Sequence, residues 1–302
     1  MRGRSFSTAS LSEQIMPQEN RPPIPPETKR EVRQRCGFGC VICGLPLYEY
    51  EHMLEWVEVQ RHVAEEITLL CRQHHGEKTN GLLPKEVVQE ANNNPYNLRA
   101  GVSKNLFLHY SGNDVQLALS NSTFSFNDLP DNAYFAPLVV DGLAVVGFRV
   151  ESGRLLLQFS AFNELNVPIL QIVDNELVYR TEQWDIEWVG QKLTIRESHR
   201  KILLQLVFEP PTIIRITKGR ILLNGIEILI GSDYIFCSNN SCFFSSISTV
   251  NCAVGLAIGD PIPQGGAGMV FSGIPRYGFD RKEARKFLKK SRNEMRLKKP
   301  SN

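Results

Sequence analysis

Long apolar runs are missing from this sequence. None approaches the ~18 residues that a membrane-spanning helix needs, which excludes a helical membrane protein. The first twenty residues, Met1 to Asn20, hold no apolar stretch like that of a secretory signal, so a cytoplasmic protein is expected. Neither sign of charge dominates: 34 Lys/Arg stand against 32 Asp/Glu, a net +2. With 42% apolar and 22% charged residues the composition is that of a folded protein, not of a disordered one. The seven cysteines are an odd number, and without an export signal a disulfide framework is not expected. Histidine is scarce, at six residues, and that makes its placement informative. The 302 residues suffice for two domains.

The balanced total hides an uneven distribution. From Arg276 to Pro300, eleven Lys/Arg face three Asp/Glu, a net +8 that leaves −6 for the rest of the chain. Such a tail suits nucleic acid or another anionic surface; a merely solvated helix face is the plainer alternative.

Four segments are expected. Residues 1–25 form a flexible lead, ending in the extended Pro-rich run Arg21–Pro26. Residues 26–97 form a Cys/His-rich module that opens with a helix to about Arg35, Pro26 near its first position and Glu27 favourable to its dipole. A second short helix runs from Pro84 to about Asn92 and stops in the NNNP run Asn92–Pro95. Residues 98–260 are β-rich. Apolar runs separated by turn signals recur there: Leu143–Val150, Arg154–Phe159, Ile169–Val173, Leu193–Arg196, Ile202–Phe208, Ile213–Thr217 and Arg220–Ile230. Ile214 and Ile216 alternate with Arg215 and Thr217, the period of a half-buried strand. A sandwich, barrel or solenoid fits this spacing. Residues 261–302 then read as a Gly/Pro-rich linker and a basic helical tail. The fold class is thus α+β.

Four of the six histidines, His52, His62, His74 and His75, share residues 36–81 with four cysteines. Cys40 and Cys43 form C-x2-C followed by Gly44; Cys71 and His74 form C-x2-H. Two such knuckles can give one tetrahedral zinc its four ligands, a structural role. Cys36 is a competing ligand, less favoured because Cys40/Cys43 is the tighter pair. Cys237, Cys242 and Cys252 read as reduced thiols in β-like sequence. His109 and His199 have no ligating neighbours in sequence and read as ordinary residues.

Between the knuckles, Glu51-His52 ends an expected strand, Leu47–Met53. His75 follows His74 directly and, on a helix, points about 100° away from it. If the strand packs on that helix, Glu51 and His52 share a space with His75, and Lys78 lies one turn further along the same face. Glu51 and His75 would hold a divalent cation, His52 would take a proton from water, and Lys78 would bind a phosphate oxygen. That is the equipment of a phosphodiesterase.

The stretches Cys40–Gly44 (CVICG), Glu51-His52 and Leu69–Thr79 (LLCRQHHGEKT) resemble the HNH endonucleases of the ββα-metal fold, in their zinc-stapled form. The resemblance covers roughly residues 30–90. It implies that Glu51 and His75 ligate a catalytic Mg²⁺ or similar ion and that His52 is the general base. It further implies that Cys40, Cys43, Cys71 and His74 hold a structural Zn²⁺, and that cleavage leaves a 5′-phosphate and a 3′-hydroxyl. One position departs: Glu66 stands where the family has its middle Asn. Glu66 can accept hydrogen bonds or add a carboxylate but cannot donate as an amide does. His62, in the same loop, either compensates or is an ordinary exposed histidine.

The β-rich half carries no catalytic motif. Trp184 and Trp188 (in WDIEW) would share a strand face, as a core layer or a recognition surface. The expectation is a metal-dependent DNA endonuclease, plausible in bacterial defence or restriction, with the β-rich part recognising a DNA feature, sensing a trigger protein or forming homo-oligomers. The motif does not distinguish DNA from RNA. A zinc module that binds nucleic acid or protein without catalysis is the competing expectation.

Overall fold

The computed structural model describes residues 22–54, 56–276 and 280–297. The expected lead, residues 1–25, lies outside the described residues up to position 21.

The chain is mixed α/β, dominated by β-sheets. Its first helix, Pro26–Arg35, begins with Pro in the first turn beside Glu27 and ends on Arg33 and Arg35, so both ends suit the helix dipole. Two short antiparallel strands follow, Glu49–His52 and Ile67–Leu70, in the register Glu49↔Leu70 to His52↔Ile67. The second strand is buried along its length and runs into the helix Arg72–Thr79. Val32, Cys36, Val41, Ile67, Leu69, Leu70 and Val88 close a small core between the first helix, this β pair and the helix Lys85–Asn93.

The rest of the chain builds two larger sheets. In one, the sequential antiparallel strands Tyr134–Val140, Leu143–Glu151, Arg154–Phe162, Pro168–Val173 and Glu176–Tyr179 lie side by side. In the other, Asp185–Val189, Lys192–Ser198, Lys201–Glu209, Ile213–Leu223, Ile226–Ile230 and Ile235–Cys237 do the same. Alternate residues of both, among them Phe148, Leu157, Phe159, Ile195, Leu206, Ile214 and Ile216, meet in one continuous core. The sheets therefore pack as two layers on shared apolar side chains, which supply most of the buried surface.

Three expectations change. Arg220–Ile230 is not one strand: Asn224 and Gly225, both at positive φ, turn the chain into a hairpin, and the preceding strand runs unbroken from Ile213 to Leu223. The Gly259–Gly273 stretch is not only a linker, because Met269–Phe271 adds a parallel strand beside Val254–Ile258. The boundary at 97/98 falls inside the short helix Tyr96–Ala100, which ends on Gly101 in the left-handed region.

The small module is tied to the β layers by polar contacts. Arg33 Nε and Nη2 donate to the two oxygens of Asp185, each at 2.8 Å, and both residues are buried. Gln34 Nε2 donates to the Trp184 carbonyl at 2.6 Å, and the Tyr179 hydroxyl donates to the Phe38 carbonyl at 2.6 Å. The Phe38 side chain itself enters the large core.

Candidate metal centre and adjoining polar cluster

The first knuckle is a tight turn. Gly44 N–H donates to the Cys40 carbonyl at 2.7 Å, and Cys40 N–H to the Leu45 carbonyl at 3.0 Å. Gly44 sits at φ +78°, and a Cβ there would fall 2.3 Å from Asn97 Oδ1 and 2.5 Å from the Tyr96 ring. Asn97 is buried and donates to the Gly37 carbonyl at 2.9 Å, so it backs the turn. The second knuckle is a helix start: Cys71 is the N-cap residue, with extended backbone, and His75 N–H donates to its carbonyl at 2.8 Å. Val41 N–H reaches the Leu69 carbonyl at 3.0 Å and locks one knuckle against the other.

The ligand atoms of Cys40, Cys43, Cys71 and His74 all lie within 4.8 Å of one another, the one such group of three or more among the described residues. Cys43 Sγ is 3.8 Å from Cys71 Sγ, the edge of a tetrahedron with zinc–sulfur bonds of about 2.3 Å. His74 Nδ1 is 3.3 Å from Cys40 Sγ and 3.2 Å from Cys71 Sγ. Its Nε2 faces Glu77 Oε2 at 4.0 Å, beyond hydrogen-bond reach. The hydrogen bond from Cys43 pulls the Cys40 thiol down to about 4 despite burial, while the same contact raises Cys43. The donor set and its spacing fit a structural metal such as zinc. Cys36 is not part of it: fully buried, it lies 3.9 Å from Thr68 Oγ1, and burial raises its thiol.

Beside this centre the strand Glu49–His52 lies against the helix Arg72–Thr79. Period-two alternation puts Glu49 and Glu51 on one strand face, and the helix offers Arg72, His75 and Lys78 at i, i+3 and i+6. The pairs form accordingly. Glu51 Oε2 is 2.8 Å from His75 Nε2, and Glu51 Oε1 receives Lys78 Nζ. Glu49 lies 3.8 Å from His75 Nδ1 and 3.5 Å from Arg72 Nε. Lys78 Nζ also donates to the His52 carbonyl at 3.2 Å. Glu51, His75 and Lys78 are thus brought together.

The His52 ring turns the other way, correcting the expectation that it shares the space of Glu51 and His75. It is buried and packs edge-on to Trp56 at 5.5 Å. Its Nε2 is 3.2 Å from His62 Nδ1. His62 is not a plain loop histidine: its ring stacks on Trp56 at 4.8 Å and its Nε2 lies 2.7 Å from the Pro22 carbonyl. A carbonyl only accepts, so His62 Nε2 carries a proton. A neutral His62 would then accept at Nδ1 from His52 Nε2–H.

Glu66 sits at the head of the second strand, its carbonyl accepting from Met53 N–H at 2.9 Å. Its carboxylate is gripped by Arg61, which donates from Nε at 3.1 Å and from Nη2. That hydrogen bond holds the Glu66 carboxyl below the usual carboxylate range.

Sequence reasoning missed Glu49, Arg61, Trp56 and Asn97. Glu49 was within reach, since it stands two residues before Glu51 on the same strand face. Arg61, Trp56 and Asn97 carry no spacing that marks them. Of the two tryptophans in WDIEW, Trp188 stacks on Phe208 at 5.3 Å and Trp184 lies under the Arg30 guanidinium at 4.9 Å. No helix among the described residues is long and apolar enough to cross a membrane. No family model, curated protein or solved structure matches the chain.

Proposed function

We propose that this chain is a metal-dependent phosphodiester hydrolase, a DNA endonuclease of the HNH kind, with its active module in residues 26–100. One observation carries the reading: beside the zinc-type centre, strand and helix bring Glu51, His75 and Lys78 into contact, an arrangement a purely structural zinc does not need. The Glu51 oxygen and His75 nitrogen, 2.8 Å apart, are the pair that would hold a divalent ion. A divalent ion there supplies charge neutralisation at the phosphate and the leaving oxygen.

The chain's own residues do the remaining work. Lys78 fixes the Glu51 carboxylate and adds a positive charge beside the phosphate. His62 orients the His52 ring, and His52 takes the proton from the attacking water. Because the His52 ring packs on Trp56 and His62, substrate must approach along the edge of the strand that carries it, or the ring must turn. Arg61 and Glu66 replace the amide bracing that an Asn gives in the family. The β layers would recognise a DNA feature, sense a trigger or hold copies together, and the setting would be cytoplasmic host defence.

A second reading, a zinc-stapled interaction module without catalysis, is favoured by the charge pairing: Lys78 already neutralises Glu51, and Arg61 neutralises Glu66. The test is plasmid cleavage with Mg²⁺, Mn²⁺ and Ni²⁺, comparing the wild type with His52→Ala and His75→Ala. Cleavage by the wild type, lost in both variants while zinc content is retained, supports the nuclease. Equal cleavage by the wild type and both variants refutes this assignment of roles. No cleavage by the wild type with any metal, and none after Glu66→Asn, favours the interaction module.

A further inference from the structure

From Arg281 to Leu297 the basic segment is a docked helix. The helix Arg281–Leu297 is laid against the sheet by Ala284 and Leu288, both buried against Phe236. Three further contacts fix its angle. Phe287 stacks on Phe236 at 6.2 Å, Arg292 lies over the Tyr234 ring at 5.0 Å, and Arg292 Nη2 meets Asp233 at 3.6 Å. Asp280 caps the helix start, accepting from Lys282 N–H at 2.7 Å and Glu283 N–H at 3.2 Å.

This docking sorts the helix by face. Ala284 and Leu288 point to the sheet, and the solvent side presents Lys282, Arg285, Lys286 and Lys289, all exposed. At 100° per residue these four fall within about 100° of one another, centred about 130° from the buried pair. Between Lys282 and Asn293 six Lys/Arg stand against the single acid Glu283. Steps of four residues, 282 to 286 and 285 to 289, place the charges about 6 Å apart along the axis. Arg285, Lys289 and Arg292 also border a shallow groove with Asn293.

We propose that this docked helix is a second nucleic-acid contact, a stripe that binds the phosphate backbone of duplex DNA independently of the metal module. Charge complementarity identifies the partner class. An anionic membrane would offer the same sign of charge, but an interfacial helix must insert its apolar face, and here Ala284 and Leu288 are already spent on Phe236. Lys and Arg contacts to phosphate oxygens carry no sequence information, so this binding is independent of sequence. The inference goes beyond the hydrolase reading and rests on it only for the choice of DNA over RNA.

The experiment uses the full chain and a labelled 30-base-pair duplex of arbitrary sequence, without added divalent cation, so that binding is read apart from cleavage. Affinity is measured by anisotropy across a salt series for the wild type and for Lys282→Gln/Arg285→Gln/Lys286→Gln/Lys289→Gln. Each lost phosphate contact lowers the slope of log K against log salt by about 0.9, so the slope should fall by about three to four. A thermal melt and a zinc assay show that the quadruple variant, altered only at exposed positions, is folded. Unchanged affinity and slope in that folded variant would overturn the proposal. So would binding to phosphatidylserine vesicles without binding to the duplex, or tighter binding to duplex RNA than to duplex DNA at equal salt.

Discussion

Asp185→Asn should loosen the small module from the β layers, and the structure sets the size of the effect. Asp185 is fully buried and accepts from Arg33 Nε and Nη2 at 2.8 Å and from Arg196 Nη1 at 2.9 Å. Burial works against the Arg33 charge, but the hydrogen bond to Asp185 and the surrounding charges outweigh it and raise the Arg33 pKa. The amide removes the negative charge and turns one acceptor into a donor facing guanidinium N–H groups. Breaking a buried pair in this way costs about 3–5 kcal/mol, because the partner is left charged in a dry site. Unfolding entropy of about 2.1 cal/mol/K per residue over the 302 residues turns that into a Tm loss of about 5–8 °C, if the chain melts as one unit. Calorimetry measures the shift, and limited proteolysis shows whether the module is released first. The paired change Arg33→Met/Asp185→Leu should cost less than Asp185→Asn alone, since it leaves no orphaned charge there and Arg196 keeps Glu187 at 2.8 Å. A Tm shift below about 2 °C for Asp185→Asn, or a double variant as damaged as the sum of its parts, would refute the reasoning.

Metal analysis of purified protein should find one zinc per chain, lost in Cys71→Ala and kept in Cys36→Ala, because Cys36 is buried away from the other thiols. Gly44→Ala should also lower zinc content and open the small core to protease, since its Cβ has no room against Asn97 and Tyr96 and its φ is positive. Glu187 is expected to give a pH signature. Desolvation opposes its ionisation, yet Arg33 and Arg196 lower its pKa overall. A carboxyl lowered in the folded state stabilises the fold above its unfolded value near 4.3 and loses that contribution as pH falls through the folded value. The Tm difference between wild type and Glu187→Gln should therefore be largest near neutral pH and close below pH ~4; a difference that widens on acidification would contradict the ion-pair assignment.

The elements with local signals were legible in the sequence. The two knuckles could be read because zinc fixes both ligand type and spacing, and the first helix because Pro26 and Glu27 mark its start. Most strands could be read from alternation, as at Ile214 and Ile216. What escaped is what depends on distant partners. No local pattern says that Met269–Phe271 pairs in parallel with Val254–Ile258, or that Arg33 finds Asp185 some 150 residues away. The Asn224-Gly225 turn is a local signal set inside a continuous apolar run. The His52 orientation was misjudged for a physical reason. Adjacent residues on a strand point to opposite faces, so Glu51 and His52 cannot both face the helix while the strand stays regular through His52.

That alternation also explains why the buried charges lie where they do. Tyr50 occupies the strand position between Glu49 and Glu51 and therefore points away from the metal helix, toward the first helix. Its hydroxyl accepts from Arg33 Nη1 at 2.8 Å, and Lys29 lies over its ring at 5.5 Å. Arg33 in turn is held by Asp185 and Glu187 of the β layer. The strand that presents Glu51 to His75 is thus gripped on its reverse side by a network anchored in the other half of the protein. An apolar contact would tolerate sliding, whereas a bidentate guanidinium–carboxylate pair with a fixed hydroxyl acceptor defines one register. Tyr50→Phe tests that role. It keeps the ring and removes one acceptor, so it should leave zinc content intact and cost about 1–2 kcal/mol in stability. If Glu51 and His75 hold the catalytic ion, the same substitution should weaken activation by Mg²⁺ more than it lowers the rate at saturating Mg²⁺. Equal stability and an unchanged Mg²⁺ dependence would show that the Tyr50 hydroxyl neither stabilises the junction nor positions the strand.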